Sequence, residues 1–223
     1  NKQGSVRGAI VIHENRNNLM EEAFRSLRTN LLFMLKPEDK VIMITSSQPS
    51  DGKSFVAGNL AVSMAYLGKR VIIIGLDIRK AGLDKVFGLD SHTPGITNYL
   101  TQPDDSDWKE WILPSEISPN LDIFPRGNIP PNPTELVSRP KLDELIRQLK
   151  EEYDYVILDT APIAMVTDTS IISRVADLCV YVCRADHTPK AAFQFIHTLK
   201  EQTGFCPLAI VVIGIDLKKK KNQ

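Results

Sequence analysis

Short, wholly apolar runs alternate with longer amphipathic segments along this 223-residue chain, and this alternation restricts the fold more than any other feature. The runs are rich in Val and Ile and lack alternating polar residues, which is typical of strands buried on both faces. Such repetition of strand and helix predicts an α/β fold with a mostly parallel sheet and helices on both faces. The predicted strands are Val41–Thr45, Val71–Ile74, Leu121–Phe124, Tyr155–Leu158, Leu178–Cys183 and Leu208–Ile213.

Helical patterns lie between these runs and also before the first of them. A helix over Asn18–Leu35 precedes the first strand, so it need not be one of the helices that connect the strands and cover the sheet. The Pro-rich stretch Pro125–Pro140 is expected to be a turn-rich loop. The apolar pattern keeps its character beyond that stretch, so we expect one domain over residues 1–223. The other predicted helices are Ser54–Leu67, Leu142–Glu152, Asp168–Ala176 and Lys190–Thr203.

Composition limits the classes of partner and compartment. Lys+Arg and Asp+Glu are both 27, so the zero formal net charge gives no reason to expect a nucleic-acid partner. Three cysteines without zinc-ligand spacing fit reduced, buried thiols better than a disulfide framework. The longest apolar runs are too short to span a bilayer. Residues 218–223 are expected to be a solvated basic tail, and the start at Asn1 suggests a fragment or a processed chain.

The segment Ser47–Ser54, with the sequence SQPSDGKS, lies between a predicted strand and a predicted helix, as a phosphate-binding loop (P-loop) does. Such a loop points backbone N–H groups inward, and the helix N-terminus adds partial positive charge. Lys53 would reach the β- and γ-phosphates, and the Ser54 hydroxyl would bind Mg²⁺. We expect the ATP-binding residues to be Gln48, Ser50, Asp51, Gly52, Lys53, Ser54 and Phe55.

Two aspartates follow apolar runs and are candidates for the metal. Asp159 follows Tyr155–Leu158, and Asp77 follows the run that begins at Val71. In a parallel sheet both positions lie at the carboxyl ends of strands, beside the P-loop. A carboxylate there can hold Mg²⁺ or accept a proton from an attacking hydroxyl. The structural alternative for Asp77 is a helix N-cap or a partner of Arg79; Asp168 is expected to be a helix N-cap or a group behind the metal.

Taken together, these segments resemble the bacterial protein-tyrosine kinases (BY-kinases), the cytoplasmic kinase domains of polysaccharide co-polymerases. The resemblance spans nearly the whole chain and rests on Glu22–Asn30, the P-loop, Leu76–Lys80, Pro130–Leu136 and Leu158–Pro162. It implies ATP-dependent autophosphorylation on tyrosine, in trans within an oligomer, and regulation of capsular or exopolysaccharide synthesis or export. By it, Lys53, Asp77 and Asp159 are catalytic, and Ser54, Asp77 and Asp159 surround Mg²⁺.

The same resemblance implies partners and a location. Glu22, Arg25 and Arg28 match a motif that mediates ring-shaped homo-oligomers, and their spacing places them along one side of a helix. A transmembrane co-polymerase segment or activator and a tyrosine phosphatase are further expected partners. The chain would then lie at the cytoplasmic side of the inner membrane, as the soluble domain of a membrane-associated protein.

Several positions depart from the family pattern. Gly75 stands where the first aspartate of the extra Walker A′ motif is usual, Ser50 replaces a frequent glycine, and Ile213 stands where an asparagine beside the base is common. The family's C-terminal tyrosine cluster is missing. Two alternatives therefore stay open. One is a partitioning or positioning ATPase, which usually has a second lysine where Gln48 stands; the other is a nucleotide-dependent assembly module with little catalysis.

Three other groups of residues carry weaker signals in the sequence. Arg184 and Asp186 follow a predicted strand, so they either approach the nucleotide or order their own loop. The four histidines show no ligand spacing, and Trp108 with Trp111 is expected to anchor a short helix.

Overall fold

A computed structural model describes residues 9–14 and 18–216, whose seven strands form one sheet. The strands are β1 Val41–Ser46, β2 Val71–Leu76, β3 Leu113–Pro114, β4 Leu121–Phe124, β5 Tyr155–Thr160, β6 Leu178–Arg184 and β7 Leu208–Ile213. Their spatial order is β3-β4-β2-β5-β1-β6-β7. The neighbours pair in parallel, apart from β3, which is antiparallel to β4. The predicted α/β class with a mostly parallel sheet is confirmed.

Eight α-helices connect or precede these strands in the described part of the chain. They are α1 Leu19–Met34, α2 Lys53–Ala65, α3 Gly82–Phe87, α4 Ile96–Thr101, α5 Pro133–Val137, α6 Pro140–Glu152, α7 Thr167–Ile172 and α8 Ala191–Glu201. Short 3-10 turns follow at Trp108–Trp111 and Ser173–Val175. None of the described helices is long and apolar enough to cross a membrane.

The structure corrects several predicted elements. The stretch predicted as a loop over Pro125–Pro140 contains helix α5, whose proline at the first position suits a helix start. The helix predicted over Asp168–Ala176 ends at Ile172 and continues as a 3-10 turn. Asp168 does not cap it, because Val166 is the N-cap residue. Helices α3 and α4 were not predicted, because six-residue helices leave little periodicity to recognise.

The core lies on both sides of the sheet, as the apolar strands require. On β1, Ile42 and Ile44 face one cluster, and Val41 and Met43 face the other. Helices α1 and α2 cover the first face, whereas α4 and α6 cover the second. Successive side chains of a strand point to opposite faces, so a strand that is apolar throughout buries both. Packing on both faces therefore holds the strands in place, including the edge at which the parallel strands end.

Helix α1 is joined to the sheet layer through α2. Asn18 and Glu21 form a capping box that starts α1. The Arg28 guanidinium donates to the Ser63 carbonyl oxygen on α2 at 2.6 Å. The helix predicted over Asn18–Leu35 is therefore present and packed against the domain. The basic tail predicted at 218–223 lies outside the described residues.

Candidate nucleotide and magnesium site

The carboxyl ends of β1, β2 and β5 bring the predicted acidic residues next to the P-loop. The order β2-β5-β1 places the three strands side by side. The Asp77 backbone N–H donates to the Asp159 carbonyl oxygen at 2.7 Å, which joins the strand ends that carry the two carboxylates. Lys53 begins α2 at the end of the loop that follows β1. Lys53, Asp77 and Asp159 therefore converge, although 106 positions separate the first from the last in the sequence (159 − 53).

Lys53 forms an ion pair with Asp77. The Lys53 Nζ atom is 3.2 Å from the Asp77 Oδ2 atom, and both side chains are less than a tenth exposed. The other Asp77 oxygen, Oδ1, accepts a hydrogen bond from the Lys80 backbone N–H at 3.2 Å. Neither structural alternative for Asp77 holds, because Arg79 pairs with Asp168 instead and Asp77 caps no helix among the described elements.

Asp159 is fully buried, and among the described residues neither of its carboxylate oxygens has a hydrogen-bond partner. Burial raises the pKa of Asp159 to about 7, while the Lys53 charge opposes the rise. The Ser54 hydroxyl also opposes it, although it lies outside hydrogen-bonding geometry. A buried carboxylate without partners costs free energy, and a cation removes that cost. The residues present thus fit Mg²⁺, which Ser54 and Asp159 would hold.

The protein ligands here are few, as is usual for Mg²⁺ at a phosphate site. Within residues 9–14 and 18–216, no group of three or more His, Cys, Asp and Glu side chains is arranged to hold a metal. Mg²⁺ at nucleotide sites commonly uses one or two protein carboxylates and takes its remaining ligands from phosphates and water. The donor set of one hydroxyl and nearby carboxylates is therefore sufficient.

The P-loop backbone is wound into an anion-binding shape. Ser50 and Gly52 both have positive φ angles, of 68° and 92°. Alternation between left-handed and ordinary backbone turns successive N–H groups toward one concave side. A Cβ atom on Gly52 would also overlap Ile213, so only glycine suits that position. The serine at position 50 adopts the left-handed conformation that a glycine would adopt more easily.

The predicted ATP-binding residues do not all offer their side chains. The Phe55 ring packs against the Phe24 ring, with centroids 5.9 Å apart. The Asp51 carboxylate is completely buried and accepts hydrogen bonds within the protein. The Gln48 side chain donates to the His187 carbonyl oxygen at 2.9 Å. These three residues shape the loop through internal contacts.

Two of the departures from the family pattern have a physical explanation. A Cβ atom on Gly75 would lie 3.0 Å from the Arg126 backbone nitrogen and 3.3 Å from its Cα atom. An aspartate at position 75 would therefore require the segment after β4 to move. Ile213, at the end of β7, packs against Gly52 of the P-loop.

Arg79 and Asp168 connect the Asp77 segment to two helices. Arg79 donates to both carboxylate oxygens of Asp168, at 2.7 and 3.2 Å, and the Thr134 hydroxyl of α5 donates to the same carboxylate. Burial raises the pKa of Asp168, but the bonds from Arg79 and Thr134 outweigh burial and leave that pKa below its usual value. This bidentate pair fixes the backbone immediately after Asp77.

Several residues near the site were missed by the sequence reasoning. Asp84 of α3 is buried, its Oδ1 atom has no partner among the described residues, and its charge acts on Asp159. Arg126 lies 3.7 Å from the other Asp84 oxygen. Gly82 packs so closely on Ser54 that a Cβ atom would overlap the hydroxyl. No motif marks these residues, since α3 itself was not recognised.

Comparison with known proteins places this site in a family. A model described as an AAA domain matches residues 39–203. A tyrosine-protein kinase, CpsD, of Streptococcus agalactiae is 33% identical over 86% of this chain and 82% of its own length. A tyrosine-protein kinase, wzc, of Salmonella typhimurium is 38% identical over 76% of this chain, which spans only 23% of that relative.

Solved structures agree with these relatives. The kinase domain of Escherichia coli tyrosine kinase ETK superposes with a TM-score of 0.79 and 28% identity, covering 92% of this chain and 84% of that domain. A septum site-determining protein, MinD, of Pyrococcus horikoshii complexed with Mg-ADP has a TM-score of 0.62 and 22% identity, covering 78% of this chain and 70% of that one. This likeness shows a common fold alone. From its P-loop fold and its sequence relatives, the chain belongs to the bacterial protein-tyrosine kinases.

Proposed function

We propose that this chain is the catalytic domain of a kinase that uses ATP and Mg²⁺ to phosphorylate tyrosines on neighbouring copies of itself. The observation that carries the proposal is the convergence of Lys53, Asp77 and Asp159 at the end of the P-loop. Residues 1–223 would act as one domain, with nucleotide bound by residues 48 and 50–55. The relatives named as tyrosine-protein kinases support this function.

The chain's residues divide the chemistry between them. Lys53 would turn from Asp77 to the β- and γ-phosphates and neutralise their charge. Asp77, released from that ion pair, would accept the hydrogen bond of an incoming tyrosine hydroxyl and take its proton as the phosphoryl group transfers. When bound, Mg²⁺ held by Ser54, Asp77 and Asp159 would stabilise charge on the transferred group. ADP and phosphotyrosine are then the products.

Burial excludes three of the five tyrosines as the acceptor in a neighbouring copy. Tyr99, Tyr153 and Tyr181 are buried, and Tyr66 and Tyr155 are only partly exposed. A tyrosine hydroxyl held in the core cannot approach the γ-phosphate of a neighbouring copy. We therefore place the acceptor on a part of the neighbouring copy other than Tyr99, Tyr153 and Tyr181.

Helix α1 supports the proposed ring-shaped oligomer. Glu22 and Arg25 form an ion pair at 2.9 Å and keep exposed fractions of 66% and 49%. Phe33 on the same helix is 84% exposed and offers apolar area that a neighbouring copy could bury. The third residue of the motif, Arg28, donates to the Ser63 carbonyl oxygen of its own copy at 2.6 Å. We expect Glu22 and Arg25 to contact a neighbour and Arg28 to hold α1 in place.

A matched pair of variants tests the oligomer. The double variant Glu22→Ala with Arg25→Ala should shift the assembly toward monomer in light scattering. The control is Glu144→Ala with Arg147→Ala, another exposed pair three residues apart on a helix. Equal mass for both variants and the wild type would refute the role given to α1.

We propose the wider setting from the same resemblance. We propose that the kinase works at the cytoplasmic side of the inner membrane with a transmembrane co-polymerase segment or activator. A tyrosine phosphatase would reverse its phosphorylation, and the output would be control of capsular or exopolysaccharide synthesis or export. One Klebsiella pneumoniae relative is named for a cps region, which supports this setting.

Phosphotyrosine formation tests the kinase activity. The full-length protein is incubated with ATP and Mg²⁺ and blotted for phosphotyrosine, beside Lys53→Met and the exposed control Lys200→Met. We expect signal from the wild type and the control and none from Lys53→Met. An unchanged signal in Lys53→Met would exclude the proposal, whereas bound nucleotide without any phosphotyrosine would favour the assembly module.

A further inference from the structure

The loop that follows β6 is bonded to the P-loop through side chains that the proposed chemistry does not use. Asp51, in the P-loop, is completely buried and uses both carboxylate oxygens. Its Oδ1 atom accepts hydrogen bonds from His187 Nδ1 at 2.9 Å and from the Thr188 hydroxyl at 2.8 Å. Its Oδ2 atom faces the Gln48 backbone N–H at 3.1 Å and the Ser47 hydroxyl at 3.3 Å.

Two further bonds join the same loops. The Gln48 side-chain amide donates to the His187 carbonyl oxygen at 2.9 Å, and the Arg184 guanidinium donates to the Ser50 carbonyl oxygen at 3.2 Å. We assign the His187 proton to Nδ1, because a carboxylate oxygen can only accept. With that assignment Gln48 donates to the carbonyl oxygen rather than to the ring. Four bonds therefore connect residues 184–188 to residues 48–51.

These bonds hold a backbone conformation that the loop would not keep easily by itself. Ser50 is a non-glycine residue at a φ of 68°, a conformation that is uncommon and costs free energy. Asp51 lies directly between Ser50 and Gly52, the two residues with positive φ. Fixing Asp51 from one side and the Ser50 carbonyl from another constrains the peptide groups whose N–H atoms would meet phosphate.

We infer that His187, with Thr188, is a positioning residue that holds the P-loop in its phosphate-binding shape before nucleotide arrives. We call Asp51, His187 and Thr188 the Asp51 clamp. The clamp deepens the proposed function and rests on nucleotide binding by the P-loop. A preformed loop does not have to be ordered when nucleotide binds, so the clamp strengthens nucleotide affinity. It does not touch the transferred phosphoryl group, so it should leave turnover at saturating ATP nearly unchanged.

The test measures affinity and turnover separately. Binding of a fluorescent ATP analogue and phosphotyrosine formation are compared for the full-length wild type, His187→Ala and His187→Asn. Removing one charge-assisted bond should weaken binding about tenfold in His187→Ala, with kcat within about twofold of the wild type. His187→Asn keeps an N–H donor close to the original Nδ1 position, so it should recover most of the affinity.

Controls separate the clamp from general damage. His197→Ala makes the same change at an exposed histidine of α8 and should bind the analogue like the wild type. Hydrogen exchange should accelerate at residues 48–52 of nucleotide-free His187→Ala and stay unchanged in the sheet. If His187→Ala fails to fold, Thr188→Val removes the bond to Asp51, together with the bond that the Thr188 hydroxyl accepts from the Arg184 backbone N–H. This variant should still weaken binding about threefold.

The results that overturn the clamp differ from those that overturn the kinase itself. Unchanged analogue affinity in His187→Ala, or a lower kcat at unchanged affinity, would exclude a role in preforming the P-loop. If His187→Asn recovers none of the affinity that His187→Ala loses, the hydrogen bond to Asp51 is not the cause of that loss. By contrast, a wild type that binds the analogue no better than Lys53→Met would refute the proposed function. The P-loop would then bind no nucleotide, and the clamp would have no binding to strengthen.

Discussion

Replacement of the buried Asp159 carboxylate by an amide should stabilise the nucleotide-free protein while abolishing its activity. Burial raises the pKa of this group from 3.8 to about 7, so the folded protein holds a proton over a pH range in which the unfolded chain has lost it. Stability therefore falls as pH rises through this range. A shift of that size corresponds to about 4 kcal/mol once the group is ionised. Asn cannot ionise, so Asp159→Asn escapes this loss.

The assay is urea denaturation of wild type and Asp159→Asn at pH 5 and pH 8, without nucleotide or metal. Between pH 5 and the pKa near 7 the wild type loses about 1.4 kcal/mol per pH unit. The stability advantage of Asp159→Asn should therefore grow by about 3 kcal/mol between the two conditions. The exposed control Asp105→Asn should show no such growth.

Two results would refute this reasoning. A difference between wild type and Asp159→Asn that stays constant from pH 5 to pH 8 would mean that the carboxylate is not destabilised by burial. Equal stabilisation of both proteins by Mg²⁺-ATP would mean that Asp159 does not hold the cation. We expect Mg²⁺-ATP to stabilise the wild type more than Asp159→Asn, because the ligand that binds more tightly favours the folded state more.

Two substitutions near the site should have distinct effects. Gly82→Ala brings a methyl group onto the Ser54 hydroxyl. The Mg²⁺ concentration needed for half-maximal phosphotyrosine formation should therefore rise about tenfold. An unchanged Mg²⁺ requirement would contradict Ser54 as a ligand. Arg79→Gln removes the bidentate partner of the buried Asp168 and should lower the free energy of unfolding by about 3 kcal/mol at pH 7. The pKa of Asp168 is lowered in the folded state, so the loss of unfolding free energy in Arg79→Gln should shrink as pH falls through that pKa. If the loss does not depend on pH in acid titrations, the ion pair is not its cause.

The sheet and the proximity of Asp77 to Asp159 could be predicted because each depends on local pattern and a general rule. Strands that are apolar throughout must be covered on both faces, and parallel strands end at one edge. Asp77 and Asp159 follow such strands directly, so their proximity needed no knowledge of side-chain packing. The N-terminal helix could also be predicted, and the structure adds the capping box of Asn18 and Glu21 that starts it.

The remaining features depend on contacts between distant segments. Asp51 and His187 are 136 positions apart and belong to no motif, so their hydrogen bond becomes visible only when β1 and β6 lie side by side. Arg28 matched the spacing of an exposed motif, yet its guanidinium turns to a carbonyl oxygen of α2. From the sequence, Gly75 was interpreted only as the absence of a usual aspartate. The structure adds that the Arg126 backbone lies where a side chain at position 75 would begin.

Transfer between copies is the most direct measurement of the central claim. A full-length Lys53→Met protein of altered size, unable to phosphorylate itself, is mixed with active full-length protein, ATP and Mg²⁺. We predict phosphotyrosine on the Lys53→Met copy, and its loss when the active copy carries Asp77→Asn. Phosphotyrosine confined to the active copy at every protein concentration would contradict transfer in trans. Persistence of the signal with Asp77→Asn would contradict the role of the Lys53–Asp77 pair in catalysis.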